Sequence, residues 1–194
     1  SAAARLGALT FVHAETSIMT TAMRVRPDAT EYAPFYAAYV AAVPDGDVVA
    51  VLRDGGRELM ATVQGIPESR GGYRYADGKW SVREVIGHII DAERIFSYRA
   101  LRLARADATP LAPFDENAYT MNAGSELRTI ADLGAELGAV RASSVALFAS
   151  FADDAWGRRG IVSGKEISVR AIAYITAGHS RHHLGILRER YLER

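Results

Sequence analysis

Two helix starts of the same design constrain this chain more than any other feature. Trp80-Ser81-Val82-Arg83-Glu84-Val85 carries a capping box, with Ser81 as N-cap and Glu84 three residues on, and Trp80 and Val85 form a hydrophobic staple. Ile167-Ser168-Val169-Arg170 repeats the cap, with Ile167 and Ile172 as its staple pair. Behind the first start, Val85, Ile89, Ala92, Phe96 and Leu103 keep helical spacing to about Ala106. Behind the second, Ile172, Ile175, Ile186 and Leu187 do the same. Two further segments have this period. One runs from about Val48 to Val63, where Gly55-Gly56 weakens the helix and marks a bend. The other runs from about Ser125 or Thr129 to Phe151, with Leu133, Leu137, Val140, Leu147, Phe148 and Phe151 inward. Four long helices and little else predict an all-α fold, an antiparallel four-helix bundle.

The connections refine that expectation. Glu31 to about Ala42 reads as a short helix with Tyr32, Phe35, Tyr36 and Tyr39 on one face, suited to core packing or to a homodimer contact. Gly65 to Gly78 is a Gly-rich loop without either phosphate-binding glycine signature. Pro110 to Asn122 reads as a long irregular crossing of one end of the bundle. Asp153 to Trp156 reads as a helical turn, and the apolar pieces around Ser163-Gly164-Lys165 as a short β-hairpin before the last helix. Residues 1–28 are expected to be a loosely ordered extension, with Met19 or Met23 as a natural start, and residues 29–194 a single domain.

Charge and cysteine usage narrow the chemistry. Lys and Arg total 23 and Asp and Glu total 23, so neither nucleic acid nor an anionic membrane is expected as a partner. With no cysteine, disulfides, thiolate ligands and a cysteine nucleophile are excluded. Any metal site must use histidine and carboxylate, and any thiol chemistry must use a thiol from a substrate. The cytoplasm is the default compartment for such a chain.

Three of the five histidines lie within His179-Ser-Arg-His182-His183. At about 100° per residue, His179 and His183 share the apolar face of the last helix, while His182 turns towards its polar edge. A lone histidine on an apolar face is most often a core residue bonded to a carbonyl or carboxylate. Two adjacent ones need two partners, and one metal ion satisfies both. His88 is the third candidate. It lies seven residues after its cap, against eleven for His179, a similar depth if both helices start at the same end of the bundle. Three histidines leave an open coordination position, as in catalytic zinc sites. Zinc or nickel is the favoured ion, and iron or manganese is also compatible with imidazole ligands. A zinc peptidase is not expected, because Ser180 stands where HExxH requires Glu.

The segments Lys79-Trp-Ser-Val-Arg-Glu-Val-Ile-Gly-His88-Ile-Ile-Asp91-Ala-Glu-Arg-Ile-Phe, Pro113-Phe-Asp-Glu-Asn-Ala-Tyr119 and Gly178-His-Ser-Arg-His-His-Leu-Gly185 resemble the DinB/YfiT-like superfamily. The resemblance covers roughly residues 31 to 192. It implies up-down-down-up connections and one divalent metal on a triad that falls, position by position, on His88, His179 and His183. Many members carry Gln three residues after the last histidine, where this chain has Ile186.

The family includes S-transferases and an isomerase that use low-molecular-weight thiols, and metal-dependent hydrolases. The expected function is therefore a metal-dependent enzyme that activates a low-molecular-weight thiol for S-transfer to a small-molecule substrate. A small-substrate hydrolase and a non-catalytic metal-binding bundle are the alternatives. Asp91, Glu84 and Asp115 are candidates for orienting ligands or moving protons.

Overall fold

The computed structural model describes residues 24–192, so the extension expected over residues 1–28 lies outside it as far as residue 23. The helices are α1 (Ala37–Ala41), α2 (Val48–Gln64), α3 (Val82–Ala104), α4 (Glu116–Asn122), α5 (Ile130–Ala149), α6 (Asp153–Trp156) and α7 (Val169–Ile186). The hairpin pairs β1 (Arg159–Val162) with β2 (Lys165–Ser168), antiparallel, with Val162 opposite Lys165. Its two turn residues, Ser163 and Gly164, have φ of 53° and 74°. That is the left-handed pair a type I′ turn requires.

The four long helices, α2, α3, α5 and α7, form the bundle. α2 and α3 each pack against both α5 and α7, so consecutive long helices α2 and α3 lie on a diagonal. Directions follow from side-chain contacts. Glu93 of α3 pairs with Arg141 of α5, and Ser97 with Ser144, in parallel register. A Cβ on Gly134 would meet Val63 and one on Gly138 would meet Met60, so α5 runs antiparallel to α2. Arg188 reaches Glu58 while Tyr174 reaches the Gly46 carbonyl, so α7 runs parallel to α2. The connections are therefore up-down-down-up.

Sequence explains where the helices begin. Ser81 and Glu84 form both halves of the capping box of α3, Ser168 caps α7, and Asp47 and Thr129 cap α2 and α5. The start of α5 is thus Thr129 rather than Ser125, which belongs to a separate 3-10 turn, Ser125–Leu127. Gly56 packs under the side chain of Arg141, whose Cγ would lie 2.7 Å from a Cβ there.

Two expectations are corrected. The single aromatic helix is instead two 3-10 turns, Ala29–Glu31 and Pro34–Tyr36, followed by the five-residue α1. Pro34 has no N–H to continue a helix, and Tyr32 before it is extended. The connection expected to be irregular contains α4, capped by Asp115, and Leu111 adds a bridge beside Val162 of the hairpin.

The segment before α2 covers the outer face of α7. Arg26 donates to the carbonyls of Val40 and Val43, at 2.6 Å each. Glu31 accepts from Ser168 Oγ at 2.7 Å and pairs with Arg170. Burial raises the Glu31 carboxyl, but the bonds from Arg170 and Ser168 outweigh it and hold the group below its ordinary value. Every residue from Ala171 to Ser180 is consequently buried, not one face alone. α7 is the central helix of the fold.

Candidate metal centre

His88 lies in the second turn of α3, and His179 and His183 lie in the last three turns of α7. Because α3 and α7 are antiparallel, the early position on one meets the late positions on the other. The two helices start at opposite ends of the bundle, not at the same end, and it is the opposed directions that bring the histidines level.

The three rings converge. Their centroids are 4.9 Å (His88–His179), 4.7 Å (His88–His183) and 4.5 Å (His179–His183) apart. One potential ligand atom from each lies within 4.8 Å of the other two, and all three residues are buried. His182 faces solvent and touches the edge of Tyr39, outside the cluster. His13 falls outside the described residues.

The hydrogen bonding of this cluster does not close on itself. His88 Nε2 and His179 Nε2 are 2.9 Å apart, so only one of the two can carry the shared proton. Among the described residues, His183 Nδ1 is buried with no hydrogen-bond partner, at a cost of about 1–3 kcal/mol for an unmatched polar group. Burial pushes His88 down to about 4. Burial, with His88 and His182 adding to it, pushes His183 down to about 3. His179 is likewise held well below its ordinary value, by burial and then by His183, His88 and His182. At neutral pH the cluster is three uncharged imidazoles, the form that binds a metal. An orphaned nitrogen, converging donors and an all-imidazole ligand set fit a divalent cation.

Aromatic rings fix the imidazoles. Trp80 lies against His88 with centroids 4.7 Å apart, and Tyr39 and Phe96 each meet His179 edge-on at 5.5 Å. Gly178 makes the Tyr39 contact possible, since a Cβ there would sit on the Tyr39 carbonyl. Two cavities reach the triad. The larger, about 350 Å³, is lined by both His88 and His179, with Tyr36, Tyr39, Phe96, Arg99, Phe114 and Glu116 among its walls. The smaller, about 250 Å³, reaches His183 between Trp80, Asn117 and Tyr191. Glu116 and Asn117 are neighbours, so the first turn of α4 stands between the two openings.

Of the three carboxylates singled out from sequence, two are engaged elsewhere and the third lines neither cavity. Glu84 accepts from the Ser81 backbone N–H at 2.7 Å and pairs with Arg74. Asp115 accepts from the N–H groups of Asn117 and Ala118. Asp91 lines neither cavity; burial raises its carboxyl, and its charged neighbours are Arg94 and Glu136. The groups sequence reading missed are Arg99 and Glu116, together with the site role of Tyr36 and Tyr39. Arg99 did carry a signal. It follows His88 by eleven residues, three turns along the same face of α3.

The DinB superfamily model matches residues 52–187, from α2 through the end of α7. No curated protein matches the chain. Among solved structures, the fold is similar to that of YfiT from Bacillus subtilis, described as "a probable metal-dependent hydrolase with an unusual four-helix bundle topology", with a TM-score of 0.67 and 22% identity over 73% of this chain and 82% of that one. It is also similar to a mycothiol-dependent maleylpyruvate isomerase, with a TM-score of 0.60 and 13% identity over 71% of this chain and 58% of that one. With well over half of the chain inside the matched region, the chain belongs to the DinB superfamily.

Proposed function

We propose that His88, His179 and His183 hold one divalent metal ion, zinc or nickel first, and that the protein is an enzyme using it to activate a low-molecular-weight thiol for transfer to a small substrate. The observation that carries this reading is the pair of cavities meeting at the triad. One opens at His88 and His179 and the other at His183. Two separate approaches to one centre suit a reaction of two molecules better than hydrolysis of one. The descriptions of YfiT as metal-dependent and of the isomerase as mycothiol-dependent support the same reading.

A bound divalent cation supplies Lewis acidity, which favours the deprotonated form of a thiol or water in its open position. The chain's own groups do the rest. Trp80, Tyr39 and Phe96 hold the imidazoles in orientation, and Tyr39 and Phe96 also line the larger cavity. No cysteine competes for the ion or for an electrophile. Hydrolysis remains the second reading, favoured by the description of YfiT. No helix among the described residues is long and apolar enough to cross a membrane.

The test begins with metal analysis of protein purified without a nickel column, where about one equivalent is expected. Metal-loaded protein is then given an electrophile with and without a thiol. Turnover only with thiol is the expected result, and turnover without any thiol would replace transfer with hydrolysis.

A further inference from the structure

Among the described residues, Arg99 is the only lysine or arginine lining the larger cavity. It is 3% exposed, yet it makes no ion pair with a carboxylate among the described residues. Its Nη2 donates to the Ala112 carbonyl at 2.8 Å and lies 3.3 Å from Ser163 Oγ, both neutral acceptors. The Phe114 ring sits 5.6 Å from the guanidinium carbon, and the Tyr36 hydroxyl lies beside it. The other fully buried arginine shows the contrast. Arg141 is matched by both carboxylate oxygens of Glu93, at 2.8 and 2.7 Å.

A guanidinium taken out of water without a counter-charge is costly, and the usual remedy is a bidentate carboxylate. Here that place faces a cavity instead of a side chain. Burial also draws the Arg99 pKa below its ordinary value, as expected of a cation with its charge uncompensated. Glu116 stands at the exposed rim of the same cavity, where burial first and the Glu116 charge second raise the Tyr36 and Tyr39 hydroxyls. It is too exposed to neutralise Arg99, and it disfavours a second negative charge at the entrance.

We propose that Arg99 recognises a single carboxylate on the small-molecule substrate of this site, whose apolar or aromatic body lies against Tyr36, Phe96 and Phe114. This rests on the cavity at the triad being the substrate site, as proposed above. Arg99 and His88 lie on one face of α3 with Cα atoms about 16 Å apart. The arginine side chain leans back towards the helix start and shortens that gap. The substrate's carboxylate therefore sits several bonds from the group presented to the histidines.

The probes are 3-phenylpropionate and its uncharged counterpart 3-phenylpropionamide, titrated into the full chain and followed by NMR. Metal is first removed with EDTA, so that the carboxylate has no ion to bind, and metal content is measured separately. The expected result is about tenfold or tighter binding of the carboxylate over the amide, as for a charge-assisted pair. Arg99→Met should abolish that preference, while Arg99→Lys should keep part of it. If Arg99→Met does not fold, the wild-type preference and the shift of the Arg99 Nε–H resonance on titration decide the matter. Equal binding of the two probes, a preference that survives Arg99→Met, or one that appears only with metal present would overturn the proposal. A preference that persists in protein found never to take up metal would instead count against the histidine triad alone.

Discussion

His183 has one buried ring nitrogen with no partner, and His88 and His179 share one proton between two facing nitrogens. Three ring nitrogens in that space cannot all be satisfied by each other, and this frustration separates the triad from ordinary core histidines. Replacing His179 or His183 with Ala should therefore remove bound metal, and His182→Ala should leave it in place, because His182 faces solvent. Metal content of the purified variants checks this. Retained metal in both His179→Ala and His183→Ala would end the assignment. Acid should act on the same groups. The folded pKa values of His88 and His183, about 4 and about 3, lie below the ordinary 6.5. The unfolded chain thus binds more protons between those values. Metal-free protein should be fully stabilised above pH 6.5 and lose stability as the pH falls towards 4, each unit of depression being worth about 1.4 kcal/mol. Melting curves across that range on EDTA-treated protein read the slope, and a flat profile would contradict neutral burial.

At the scale of elements, the bundle is pinned by one buried ion pair. Arg141 of α5 reaches both oxygens of Glu93 on α3 and the Leu52 carbonyl on α2, crossing the bundle through the gap left by Gly56. Both side chains are nearly inaccessible, at 6% and 2% exposure. Glu93→Ala would strand the arginine and should cost about 3–5 kcal/mol. Replacing both residues with Met should cost less than Glu93→Ala, since the penalty is chiefly the unmatched charge. Denaturant midpoints of the two variants distinguish the cases. The element scale also explains the central place of α7. Gly178, with no side chain, admits the segment that carries Tyr36 and Tyr39 against the helix's outer face. The site is thus built from three parts of the chain: α3, α7 and the aromatic segment before α2.

For the whole molecule, the triad joins helices whose histidines are 91 residues apart in sequence. An ion held there would stabilise only the folded state, where the three proposed ligands meet, so its binding would add to global stability. At a free metal concentration a hundredfold above the dissociation constant the gain is about 2.7 kcal/mol. Adding zinc to EDTA-treated protein should raise the melting temperature in wild type and His182→Ala but not in His88→Ala. An equal rise in all three would place the ion elsewhere.

The sequence determined the elements: four long helices, their caps at Ser81 and Ser168, the hairpin, and the histidines that face inward. These follow from local rules, since caps, turns and a 3.6-residue period act within a few residues. The tertiary structure decided what meets what. It set α3 against α7 in opposite directions, so that residue seven after one cap meets residues eleven and fifteen after the other. It laid the aromatic segment over α7. It also turned Arg99, without a counter-charge among the described residues, into the cavity beside the triad. None of these depends on neighbours in sequence. They arise from the burial of faces contributed by distant segments, which no local period records.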